Sequence, residues 1–128
     1  MRFLLDTHTL LWSFNGSPSL SSRARAIIED GRNEMLVSAA SAWEIATKVR
    51  LGKLPDGEEL ASDFAAYLAQ LACVGLPISI DHAIRAGQLL GEHRDPFDRM
   101  LIAQAQMEGL KIISNDRIFD DYHVQRIW

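Results

Sequence analysis

Only one cysteine, Cys73, occurs in the 128 residues, so no disulfide can form within the chain and a reducing compartment is expected. Following Leu71 and Ala72, that thiol reads as a packing residue rather than a nucleophile. No apolar run is long enough to span a bilayer, so no membrane role is expected. Asp6 and His8 interrupt the opening apolar run, and no secretory signal is expected there. Basic charge is not in excess: 13 Lys and Arg stand against 17 Asp and Glu, a formal net charge of -4. That argues against binding nucleic acid by bulk charge alone. A nuclease whose acids gather around cations remains compatible with it. Glycine and proline are modest (8 and 4), repeats and low-complexity stretches are absent, and 48% of residues are hydrophobic. One ordered domain over residues 1–128, with a core that needs no staples, is the expectation.

The stretch Phe3-Leu4-Leu5-Asp6 organises the rest. Its short unbroken apolar run suits a strand covered on both faces, as in a parallel sheet. Further strands are expected at Met35–Val37, Val74–Ile78, Lys111–Ser114 and Val124–Trp128. Helices are expected from Ser21 or Ser22 to Gly31, from Ser41 to Leu51 with Trp43, Ile45, Ala46 and Val49 packing, and around Phe64, Leu68 and Leu71. Two more follow, one after Asp81 bearing Ala83, Ala86, Leu89 and Leu90, and one over Arg99–Glu108 stopped by Gly109. Alternating strands and helices imply parallel β-α units with helices on both sheet faces, an α/β class fold.

Acidic residues recur where strands should end and helices begin. Asp6 follows the first strand, Glu44 lies in the first turn of the helix after the second, Asp98 heads the Met100–Ala105 helix, and Asp116 follows the fourth strand. In open α/β sheets ligands bind beyond the carboxyl ends of the strands. Each acid also has a plain structural use. Asp6 can cap a helix, Ser41 and Glu44 have capping-box spacing, Asp98 suits a helix dipole, and Asp95 and Asp116 suit turns. Gathered at one edge, the four would form a hard-oxygen site for Mg²⁺ or Mn²⁺, able to support phosphodiester hydrolysis.

These motifs make the chain recognisable. Leu4 to Trp12, Ser38 to Glu44, Asp95-Pro96-Phe97-Asp98-Arg99-Met100-Leu101-Ile102-Ala103-Gln104-Ala105, and Ser114 to Phe119 together resemble the PIN-domain ribonucleases, most closely the VapC-type toxins of toxin–antitoxin pairs. The resemblance covers essentially the whole chain. It implies a PIN-like three-layer α/β/α domain with a short parallel sheet of about five strands. It implies an acidic quartet of Asp6, Glu44, Asp98 and Asp116. Asp6 and Asp98 would be the metal ligands, Glu44 and Asp116 would act through water, and one or two Mg²⁺ or Mn²⁺ ions would be held. Ser114 stands where the family often has Thr, and keeps the hydroxyl. The resemblance also implies a cytoplasmic homodimer, a VapB-type antitoxin across the active-site groove, and cleavage of RNA, tRNA among the targets, to 5′-phosphate and 3′-hydroxyl ends.

Lys48, Arg50 and Lys53 follow Glu44 and form a candidate rim for the RNA backbone, although Glu44 and Lys48 are also spaced to pair on a helix. Arg99 is a candidate to orient a carboxylate or contact phosphate. His8 reads as packed or hydrogen-bonded before it reads as a proton shuttle, and His93 shows no metal-ligand spacing with the other histidines. Two other functions fit the length and fold class. A phospho-signalling receiver would need an Asp after a middle strand, where Ser38-Ala39-Ala40 stands. A phosphatase of the haloacid-dehalogenase type would need an Asp where His8 stands. A PIN scaffold that binds without cutting is the remaining alternative.

Overall fold

Alternate residues of the first strand face opposite layers, and this sets the architecture. In the computed structural model, which describes residues Met1–Trp128, the strand β1 (Arg2–Leu5) sends Phe3 and Leu5 into one apolar cluster and Leu4 into another. Its neighbours repeat the pattern. In β2 (Glu34–Ser38), Met35 and Val37 join Phe3 and Leu5, while Leu36 joins Leu4; in β4 (Lys111–Ile113), Ile113 and Ile112 divide the same way. The strand has a period of two, so a sheet buried on both faces needs apolar residues at every position.

With β3 (Cys73–Leu76) and β5 (Arg126–Ile127) the sheet has five strands, all parallel, in the order β3-β2-β1-β4-β5. Leu4 pairs with Leu36 on one side and Ile112 on the other, so β1 is the central strand. The chain winds outward from β1 to β2 and β3, then crosses to β4 and β5. The loops after β1 and β4 therefore diverge, and a crevice opens between them at the carboxyl edge.

The helices are α1 (Thr7–Asn15), α2 (Ser22–Glu29), α3 (Ala39–Arg50), α4 (Glu58–Ser62), α5 (Phe64–Gln70), α6 (Ile80–Gln88) and α7 (Pro96–Glu108). Leu10, Leu11, Ala24, Ile45, Leu60 and Leu68 bring α1 to α5 onto the Phe3 face, while Leu101, Ile102 and Ala105 place α7 on the Leu4 face. The expected three-layer α/β/α arrangement is thus present, and no helix is long and apolar enough to cross a membrane.

Several boundaries differ from expectation. Helix α3 begins at Ala39 because Ser38, still extended at the end of β2, accepts a hydrogen bond from Ala40 N at 3.0 Å. The Ser41–Glu44 capping box does not form, and Glu44 lies in the second turn. Trp43, expected to pack, is 62% exposed with its ring edge-on to Phe97, and Ala46 is exposed as well. Helix α7 begins at Pro96 rather than Arg99. Asp95 caps it and proline takes the first helical position, where its missing N–H costs nothing. Helix α6 is capped by Ser79 in a reciprocal box with His82 and ends at Gln88, so Leu89 and Leu90 lie beyond it. Helix α2 ends at Glu29, before Gly31. The strands β3, β4 and β5 are shorter than expected at their carboxyl ends. A turn of 3-10 helix at Pro55–Gly57, the helix α4 and a 3-10 segment at Arg117–Tyr122 carry little periodicity and were not anticipated.

Leu4 is fully buried at the centre of the sheet. Leu4→Ala should lower the unfolding free energy by about 2–5 kcal/mol, read from the midpoint of a urea titration.

Candidate active site

Asp6 is the residue at which β1 becomes α1. Its backbone is extended, its N–H donates to Ile113 O at 3.2 Å, and its Oδ1 caps α1 by accepting from Thr9 N at 2.8 Å. Thr9 Oγ1 donates to Ile113 O at 2.8 Å, tying the start of α1 to β4. The second carboxylate oxygen, Oδ2, accepts from Ser114 Oγ, whose oxygen in turn accepts from Asp116 N at 3.0 Å. One hydroxyl thus uses its proton on one acid and a lone pair on the backbone of another.

Glu44 reaches the same crevice from the second turn of α3. Thr7 Oγ1 stands 2.7 Å from Glu44 Oε1 and 3.0 Å from Ser41 Oγ. With one proton to give, Thr7 donates to the carboxylate and accepts from Ser41. Lys48 Nζ, one turn along α3, donates to Glu44 Oε2. From the first turn of α7 comes Asp98, whose Oδ2 meets His93 Nε2 at 2.9 Å. Asp95 lies beside it, but its Oδ1 accepts from Phe97 N at 2.9 Å and Asp98 N at 3.2 Å, so the cap role absorbs it. Asp116 is exposed and caps the Arg117–Tyr122 segment by accepting from Ile118 N at 3.0 Å.

These side chains line one cleft of about 350 Å³: Asp6, Glu44, Asp95, Asp98 and Asp116 with Thr7, His8, Trp12, Lys48 and Asn115. The four expected acids meet there. Of the expected basic rim, only Lys48 does; Arg50 and Lys53 are exposed and lie outside the cleft wall. Arg99 does not enter it either. Its guanidinium turns away from Asp98 and donates to backbone carbonyls of Ala86, Leu89 and His93. Adjacent residues on a helix point some 100° apart, so the neighbour of a cleft acid faces another way. Sequence reasoning missed Thr7 and His93. Thr7 follows Asp6 directly and carries a hydroxyl, a signal that was available. His93 lies in a loop five residues before Asp98, and no periodicity marks it.

Burial, the largest cause, pushes the Asp6 carboxyl up despite its hydrogen bonds from Ser114 and Thr9. Asp98 is pushed up to about 6, first by burial and further by the charges of Asp95 and Glu44, against the lowering effect of His93. At Asp98 the charges of Asp95 and Glu44 add to the effect of burial, and a bound cation would relieve that repulsion. The donors are hard oxygens, as Mg²⁺ and Mn²⁺ prefer. No three acid, histidine or cysteine groups already stand close enough to hold a metal by themselves.

The acidic, oxygen-lined cleft lies at the switch point of a parallel α/β sheet, where ligands of open α/β folds bind. The PIN domain family profile matches residues 3–124, and the chain belongs to that family. This sets aside the receiver and dehalogenase readings. Ribonuclease VapC16 of Mycobacterium tuberculosis is 50% identical over 62 residues, which are 48% of this chain and 43% of that protein. The chain therefore spans less than half the length of the curated relative it matches. Among solved structures, it is similar to VapBC2 of Rickettsia felis bound to a promoter DNA fragment, with TM-score 0.72, 16% identity, and 99% and 98% of the two chains covered. It is also similar to VapC20 of Mycobacterium tuberculosis, described as a sarcin–ricin loop cleaving toxin, with TM-score 0.71, 14% identity and 95% of each chain covered. At these identities the structures speak for the fold.

Burial makes both carboxyls take up protons more readily in the folded chain, so each favours the fold in acid; for Asp98 that contribution is lost as pH rises through about 6. Asp98→Asn removes that charge. It should raise the Tm of the metal-free chain at about pH 8 and raise it progressively less towards about pH 4. Thermal unfolding in chelator reads both.

Proposed function

We propose that the chain is a metal-dependent endoribonuclease toxin, which hydrolyses RNA phosphodiester bonds and is neutralised by a cognate VapB-type antitoxin. One observation carries the reading: Asp6, Glu44, Asp98 and Asp116, from four separated segments, line a single polar cleft. The likeness to a protein named as a ribonuclease and to toxin–antitoxin assemblies supports it. Asp6 and Asp98 would hold one or two Mg²⁺ or Mn²⁺ ions, with Glu44 and Asp116 contributing through water. When bound, a divalent ion there supplies Lewis-acid stabilisation of the phosphate and lowers the pKa of water.

The chain's own residues do the rest. Ser114 fixes the Asp6 carboxylate, and Thr7 fixes that of Glu44. Lys48 is the one lysine or arginine lining the cleft, and its ammonium is placed to exchange Glu44 for a phosphate oxygen. A cleft carboxylate takes a proton from a water whose oxygen bonds to phosphorus, and the bond to the 3′ oxygen breaks opposite it, that oxygen taking a proton from solvent. The products are 5′-phosphate and 3′-hydroxyl ends. Sequence-specific recognition of RNA mostly uses the unstacked bases of single-stranded loops, so exposed RNA loops such as those of tRNA are the substrates to try first. Action in the cytoplasm as a homodimer completes the proposal.

The test is to incubate the purified chain with total bacterial RNA and Mn²⁺ and to map new 5′-phosphate ends. Discrete ends should appear, vanish with chelator, and fall by about 10²-fold or more with Asp6→Asn or Asp98→Asn, the scale of losing one electrostatic stabiliser of a transition state. Full activity in either variant sinks the assignment of that acid. Complete absence of cleavage on structured and unstructured RNA alike would favour the scaffold that binds without cutting.

A further inference from the structure

The loop between α6 and α7 is pinned to the protein at several points, and each bears on Asp98. Gly91 sits at φ +112°, a conformation that side-chain-bearing residues rarely adopt, and a Cβ there would come within 2.5 Å of Tyr122 Oη. Arg99 supplies the second pin. Its Nη1 donates to His93 O at 3.0 Å, its Nε to Ala86 O at 3.3 Å, and its Nη2 to Leu89 O. Ala86 and Leu89 belong to the C-terminal turn and cap of α6, where carbonyls lack helical partners and carry the negative end of the helix dipole. One guanidinium therefore closes α6 and fixes the backbone of His93. The imidazole of His93 then reaches back to Asp98 Oδ2 at 2.9 Å. Both side chains are about four-fifths buried, at 22% and 21% exposure, so neither swings freely in solvent. With Oδ2 occupied by the imidazole, Asp98 has its other oxygen left to present.

We propose that Arg99 and His93 are positioning residues: Arg99 anchors the loop so that His93 holds one oxygen of Asp98, which leaves a single defined oxygen for the cation. The inference rests on the proposed role of Asp98 as a metal ligand. Partners that orient a metal's ligands are worth about 10- to 100-fold in affinity.

The experiment is calorimetric titration of the full chain with Mn²⁺ alone, together with a Tm measurement. His93→Ala should weaken Mn²⁺ binding about 10- to 100-fold with little change in Tm. His93→Gln, which can still offer an N–H to Oδ2, should recover part of that loss. Arg99→Ala should lower the Tm, since α6 loses its closing donors, and should weaken Mn²⁺ binding as His93→Ala does. The two substitutions together should bind Mn²⁺ no more weakly than Arg99→Ala alone, because both act along one line. Fully additive losses overturn the coupling of Arg99 through His93. Unchanged Mn²⁺ affinity in His93→Ala, while Asp98→Asn abolishes binding, overturns the proposal and leaves the reading of the site intact. Unchanged affinity in Asp98→Asn removes Asp98 as a ligand, and the proposal with it. If Arg99→Ala does not fold, the two His93 variants decide.

Discussion

Like charges brought together must each be answered by a donor, and the cleft meets that constraint acid by acid. Ser114 answers Asp6, Thr7 and Lys48 answer Glu44, His93 answers Asp98, and backbone N–H groups answer Asp95 and Asp116. The donors come from β-strand exits, helix turns and a loop, so the fold around the cleft is arranged to supply them. Repulsion among unpartnered carboxylates in a partly desolvated crevice would otherwise oppose the packing that creates it. Burial raises the Asp6 and Asp98 carboxyls all the same, and at Asp98 the charges of Asp95 and Glu44 add to the rise. A cation in the proposed site would relieve that repulsion.

The caps and the chemistry share the same side chains. Asp6 caps α1 with one oxygen and keeps the other for Ser114. Asp95 starts α7 with one oxygen, and by doing so it aims the first turn, and Asp98 with it, at the cleft. Ser38 starts α3 early enough that Glu44 arrives a turn and a half later, on the face that meets Thr7. A helix-starting residue at the carboxyl edge of the sheet thus sets the direction of an acid several residues on. The switch-point order β3-β2-β1-β4-β5 leaves room for these acids to converge.

Arg99 illustrates how neighbours in sequence can serve different tasks. Asp98 faces the cleft, while Arg99 faces the end of α6 and the intervening loop. The residues meet again through His93, whose carbonyl one of them holds and whose ring the other receives. Precision in the cleft then depends on a loop held from outside it.

Much of this protein can be read from its sequence alone. The unbroken apolar runs at Phe3–Leu5 and Lys111–Ile113 foretell a doubly covered parallel sheet, because a strand with no polar face can be stable only between two layers. The acids at strand exits and helix starts foretell a convergent site, because parallel strands place all such exits on one edge. What only the tertiary structure decided is direction. Which of Asp95 and Asp98 caps α7, whether Arg99 contacts a carboxylate or a carbonyl, and whether Ser38 or Ser41 starts α3 each turn on where a helix begins and on a rotation of about 100° per residue. Those phases are set by caps and by packing against distant elements. The His93–Asp98 contact depends on a loop path fixed by Gly91, Tyr122 and Arg99, and no local pattern in the chain encodes a path that distant residues impose.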